Sequence, residues 1–217
     1  MNYYTIVHSW KNETRVEKSR FICNLQKAAS EAEAQEHIRE MKKQYWDAAH
    51  NCSAYVIGKD LAVQRFSDDG EPSGTAGLPM LEVLRKKGIY NVVAVVTRYF
   101  GGVKLGTGGL ARAYAGSVVT ALEGAGLAKV VAMGQYSFLW DINAVGKVLN
   151  LIYQQKVFSL GSVEYGTRAK VILVLEAADK QRVEEWLTEN LSRAVELREE
   201  AIYGEERPVM RRENEGS

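Results

Sequence analysis

The run VVAVVTRYFGGVKLGTGGLARAYA, residues 92–115, holds a strand, a glycine-rich turn and a helix start in one stretch. Its first six residues are apolar or β-branched without alternation, which predicts a strand buried on both faces. That strand delivers Arg98 and Tyr99 to its carboxyl end. Gly101, Gly102, Gly106, Gly108 and Gly109 then allow positive φ and close approach to the backbone. A helix predicted over residues 107–122 offers its free N–H groups to the same space, with Lys104 and Arg112 beside it, so a phosphate or carboxylate is the expected guest.

Two nucleotide motifs are excluded at this turn. A Walker A loop places Gly-Lys-Ser/Thr at the helix start, whereas Leu105 follows Lys104. Residues 106–111 match a G-x-G-x-x-A spacing, but the strand ends too far upstream and no acid closes a following strand about 20 residues on. The plain alternative is that the glycines serve a tight turn and close helix packing.

Working outward, residues 66–79 (FSDDGEPSGTAGLP) break all periodicity. Asp68, Asp69 and Glu71 with Ser73 and Thr75 can hold Mg²⁺ through oxygen ligands, bind a partner, or pair with Arg98 and Lys104 and have no other role. His50 and Cys52 fall on one face of an extended segment. A buried small hydrophobe is the expected role for this cysteine and a place in the pocket wall for His50, with Arg20 as a second wall residue. His8 and His37 read as surface or helix-face residues.

The remaining elements follow from pattern. Strands are expected in residues 3–9 and 14–25, with a turn near Asn12, and a helix after a Ser30 cap. Strands at 52–59 and 61–67 meet in a tight turn, and a short helix spans 80–87 before Gly88. A short closing strand at 129–133 completes a first domain, 1–133. Residues 134–204 then read βαββαβ, with Asn143 and Asp179 capping the helices, which is the ferredoxin-like order. Residues 205–217 read as a charged tail. The expected fold class is therefore α/β in content and α+β in arrangement.

Composition bounds the function. Of 217 residues, 46% are hydrophobic and 25% charged, with net charge +1, which excludes a general nucleic-acid coat. The first domain is mildly basic and the second mildly acidic. Two cysteines and no apolar leader predict a cytoplasmic protein with reduced thiols, and no run suits a membrane span. Three scattered histidines give no metal-ligand spacing, so no metal or other cofactor is expected beyond a possible Mg²⁺ at the acidic loop.

The segments RFSDDGEPSGTAGLPML (65–81) and NVVAVVTRYFGGVKLGTGGLARAYAG (91–116), with SRFI (19–22) and HNCSAYV (50–56), closely resemble the signature of the YigZ/Impact family over residues 18–127. The bacterial branch adds a ferredoxin-like C-terminal domain. The resemblance implies a first domain similar to elongation factor G domain IV and a second similar to its domain V. It also implies a role in translation regulation and the stress response, since eukaryotic Impact regulates translation in amino-acid starvation by competing for the activator of a kinase that senses uncharged tRNA. Three functions stay open: a binding protein that contacts RNA, the ribosome or a translation-related protein; a Mg²⁺-dependent enzyme on a phosphorylated small molecule or nucleotide; and a protein–protein adaptor. RNA binding would use Arg98, Lys104 and Arg112 on phosphates, with Tyr99 or Phe100 stacking on a base. The oligomeric state is unassigned.

Overall fold

The computed structural model describes residues 3–58 and 63–209. Their fold is α+β, divided into two compact units. The chain leaves the first unit after Val130 and re-enters it at Glu206.

The first unit is built on a five-stranded sheet. Its strands are β2 (Trp10–Val16), β3 (Ser19–Lys27), β4 (His50–Ile57), β5 (Val63–Ser67) and β6 (Val92–Tyr99), in the order β2-β3-β6-β4-β5. All its pairings are antiparallel. The unbroken apolar run of β6 follows from its central position. Val92, Ala94 and Val96 face α2 (Gly77–Lys86) and α3 (Gly106–Ala125), packing with Met80, Leu84, Tyr114 and Val118. Val93 and Val95 face the other way, toward Ala34 and Ile38 of α1 (Glu31–Gln44). Ser30 caps α1 by accepting from the Glu33 N–H, as its sequence position implies. β1 (Tyr3–Ile6) pairs with the start of β7 (Leu127–Trp140).

Several boundaries differ from the sequence reading. Asn12 lies inside β2, and the turn comes at Glu17 and Lys18, both at positive φ. Helix α2 begins three residues before the expected residue 80, because Asp68 accepts from the Ala76 and Gly77 N–H groups and caps it from the preceding loop. Helix α3 gains a residue at its start and three at its end. The turn expected between β4 and β5 lies largely outside the described residues.

The second unit contains the rest of β7, α4 (Val145–Gln154), β8 (Ser159–Tyr165), β9 (Ala169–Glu176), α5 (Lys180–Leu191) and most of β10 (Arg198–Pro208). The strand order β10-β7-β9-β8 is that of a ferredoxin-like sheet. Its core joins Tyr136, Phe138, Val171, Leu173 and Leu175 to Val148, Ile152, Val183 and Leu187. Strict alternation along β9 puts every second residue in that core. The two strands expected at 129–133 and from 135 are one continuous β7. The helix cap expected at Asn143 is Ala144, without a side-chain hydrogen bond; Asn143 instead donates its backbone N–H to Asp141. Asp179 does occupy the N-cap of α5, again without a side-chain bond. The charged tail expected from 205 is strand as far as Pro208, and Val209 donates its N–H to the Leu127 carbonyl. Residues 210–217 lie outside the described residues.

Candidate functional site

Four connections gather at one end of the first unit's sheet, because β2, β5 and β6 finish there while β3 and β4 begin. Register sorts the candidate residues between two faces. His50 lies opposite Arg98, and Arg98 opposite Phe21, so these three share the face covered by α2 and α3. Arg20 lies opposite Tyr99 on the other face. Arg20 is therefore not a pocket-wall partner of His50: it binds Glu13 through two nitrogens, at 2.9 and 3.1 Å, and stacks over the Tyr99 ring.

Arg98 does not stand at the mouth of the site. It is 5% exposed and donates from Nη1 to Glu71 Oε1 at 2.7 Å; Glu71 is itself 8% exposed. The Tyr114 hydroxyl donates to the same oxygen at 2.8 Å. His50 Nε2 stands 3.8 Å from the other carboxylate oxygen, while Nδ1 donates to the Asp69 carbonyl at 2.8 Å. The Arg98 guanidinium lies over Phe21 and Phe100, and its Nε has no hydrogen-bond partner. Acidic loop and strand end thus meet through an ion pair closed off in the core. Such a pair fixes the loop more than it stabilises the fold, because desolvating two charges offsets most of their attraction.

The other loop residues are also engaged. Asp68 accepts from three backbone N–H groups, those of Gly74, Ala76 and Gly77. Burial pulls the Asp69 carboxyl upward, but hydrogen bonds from Lys42 and the Asn51 N–H outweigh it and hold the group below its ordinary value. Thr75 Oγ1 donates to the Pro72 carbonyl, and Ser73 is exposed. Among the described residues no three His, Cys, Asp or Glu side chains are placed to hold a metal ion. Cys52 donates to the Asp68 carbonyl, and burial pushes its thiol up to about 12, so it stays protonated at neutral pH.

The glycine turn forms a separate feature. Gly101 passes so close to the β2–β3 turn that a Cβ there would run into the Lys18 backbone, and its N–H donates to Ser19 Oγ. Gly102 and Gly106 have positive φ, Gly108 faces open space, and Gly109 packs against Leu105. Beyond Gly101 the chain opens into a cleft of about 500 Å³ lined by Val16, Glu17, Val103, Lys104, Gly109 and Arg112. The N-cap of α3, Leu105, supplies no side-chain acceptor for the helix start. Lys104 and Arg112 therefore share a site, and Arg98 is not part of it. Tyr99 donates its hydroxyl to Asp47, while Phe100 is 53% exposed.

Sequence reasoning missed Tyr114, Ser19 and Lys18. Tyr114 was detectable as a polar-tipped ring on the apolar side of α3. The others depend on which loops meet, which spacing along the chain does not reveal. His37, expected at a surface or on a helix face, lies on the buried face of α1 and is 6% exposed, and burial lowers its pKa.

Comparison with known proteins places these features in context. The profile of the Impact N-terminal domain matches residues 17–122, a span that contains the ion pair, the acidic loop and the cleft. The chain is 45% identical over 188 residues to "IMPACT family member YvyE" of Bacillus subtilis (strain 168), covering 87% of this chain and 86% of that one. It is 39% identical over 152 residues to "IMPACT family member YigZ" of Escherichia coli (strain K12), covering 64% and 74%. A crystal structure of a hypothetical protein aligns with 90% of this chain and 96% of its own at a TM-score of 0.58 and 30% identity.

Proposed function

From the premise that this chain belongs to the IMPACT family, we propose that it is a non-enzymatic binding protein acting in translation, with RNA phosphates seated in the Lys104–Arg112 cleft. The observation that carries this reading is a division of labour among the charged residues. Arg98, Glu71, Asp68 and Asp69 bind one another's loops, whereas Lys104 and Arg112 line an open cleft and have no ion-pair partner among the described residues. Fixed internal pairs suit a scaffold, and unneutralised cations around an open cleft suit an anionic polymer. The link to translation rests on the family resemblance.

An enzyme reading needs acids free to take a metal or a proton, and the three in the loop are held by backbone N–H groups, Lys42 and Arg98. The test is equilibrium binding of a labelled RNA at low and moderate salt. We expect affinity to fall as salt rises, and Lys104→Ala with Arg112→Ala to weaken it at low salt. Salt-independent binding, or binding untouched by the double variant, would overturn the assignment.

A further inference from the structure

Trp46 has no structural role that explains its position. It is 82% exposed, in the turn between α1 and β4, and among the described residues no ring or cation covers it. The turn around it is fixed. Tyr45 is buried, and its carbonyl accepts from the Ala48 N–H and from Asn51 Nδ2. Asp47 accepts from the Tyr99 hydroxyl at 2.8 Å, and the Ala49 N–H donates to the Arg98 carbonyl at 3.1 Å. Held in water by an ordered turn, the indole offers an open aromatic face to a partner.

The charges at this end of the sheet identify the contact. Glu13, Asp69 and Glu71 are neutralised by Arg20, Lys42 and Arg98. Among the described residues, the cations here without an ion-pair partner are Lys18, Lys43, Lys104 and Arg112, against Glu17, Asp47 and Asp68 among the acids, and Asp68 is already taken up by three backbone N–H groups. Lys43 lies in the last turn of α1, three residues before Trp46, and the Lys18 backbone lies against Gly101. A flat apolar ring beside surplus positive charge fits an anionic polymer that carries exposed aromatic faces.

We infer that Trp46 is a stacking platform for an unpaired base, and that the RNA bound at this end of the sheet is single-stranded. The inference rests on the RNA reading proposed above and narrows it. Bases within a duplex are stacked on one another and cannot offer a face to an indole, whereas a single strand can place a base on Trp46 while its phosphates follow Lys43, Lys18 and Lys104. Tyr99 is not equivalent, since its ring is covered by Arg20 and its hydroxyl is held by Asp47, and the exposed Phe100 ring is engaged by the Arg98 guanidinium.

The experiment titrates the full chain with a short labelled oligouridylate and with an RNA duplex of the same length. It compares wild type, Trp46→Ala, Trp46→Phe and the Lys104→Ala/Arg112→Ala pair. Trp46→Ala is expected to weaken oligouridylate binding about 10-fold, in the range of one lost base stack, and to leave duplex binding within about twofold. Trp46→Phe is expected to retain most of the affinity, and to lose most of the indole quenching seen when wild type binds. Full oligouridylate affinity in Trp46→Ala, or equal loss for both RNAs, overturns the inference. If the double variant weakens binding while Trp46→Ala does not, the RNA reading stands and the stacking role falls. If wild type binds neither RNA at low salt, the RNA reading falls and takes this inference with it. Loss of a protein partner in Trp46→Ala with RNA binding intact also overturns it.

Discussion

Glu71 is the residue on which the acidic loop depends. Its carboxylate serves Arg98 and Tyr114, and replacing it by alanine leaves a buried guanidinium with no counter-charge. Breaking one partner of such a pair costs about 3–5 kcal/mol, so Glu71→Ala is expected to lower the urea midpoint by that amount of stability. Tyr114→Phe removes one hydrogen bond to a charged group and should cost about 1.5–3 kcal/mol. The thiols offer a second check. Burial raises both Cys23 and Cys52, so neither should react with an alkylating reagent at pH 8 until the chain unfolds.

His37 sets a pH dependence whose sign can be worked out. Burial, opposed only in part by Glu40, lowers its folded pKa, so the unfolded chain binds the proton more readily. Its contribution to stability is therefore intact above the ordinary histidine value of about 6.5 and shrinks as pH falls below it. Asp69 acts in the same direction at lower pH. Its depressed pKa gives stability that is present above about 4 and lost as pH falls through the folded value. Chemical denaturation of His37→Leu across pH 7 to 5 should show a flatter slope than wild type; an unchanged slope would exclude this role.

At the scale of elements, Asp68 connects the loop to α2. It accepts from three N–H groups, including the first of the helix, so Asp68→Ala should destabilise by about 2 kcal/mol, at the upper end for a lost cap. The same residue shows how far local pattern could be read. β6 was legible because a strand covered on both faces needs no polar position, and α1 because Ser30 and its acidic first turn mark a start. The start of α2 was not, since its cap lies nine residues upstream and is brought in by the loop's own folding. β2 was misread for a related reason: its exposed alternation of Lys11, Glu13 and Arg15 looks like a loop until pairing with β3 supplies the strand. The meeting of the acidic loop with Arg98 was legible as one of three readings of the loop, whereas the separation of Arg98 from Lys104 was not. That separation depends on β6 turning Arg98 inward before Gly101 turns the chain out.

For the whole molecule, a net charge of +1 means that the proposed nucleic-acid affinity would have to come from a local cluster. The salt dependence should reveal this. Each phosphate contact with a single strand contributes about 0.7 to the slope of log affinity against log salt, so removing Lys104 and Arg112 together should flatten that slope by about 1.4. A slope that stays at the wild-type value would place the phosphates elsewhere. The second unit's core can be tested separately. Leu173 is fully buried there, and Leu173→Ala should cost about 2–5 kcal/mol in the transition reported by Trp140 and Trp186.

The return of the chain into its first unit has a consequence for synthesis. Tyr3–Ile6 pair with residues 127–130, and Val209 reaches the Leu127 carbonyl, while Lys27 pairs with Glu206 at 2.5 Å. A nascent chain has made the whole five-stranded sheet and its helices by Ala125 and the β1–β7 pairing by Val130, yet must wait for residues 131–205 before the contacts of Glu206 and Val209 can form. At bacterial or eukaryotic elongation rates that interval is on the order of 4–15 s. During it the first unit exists as a fully paired sheet whose final seam is still open. Its cleft and its exposed tryptophan are therefore displayed at the ribosome before the fold that carries them is finished.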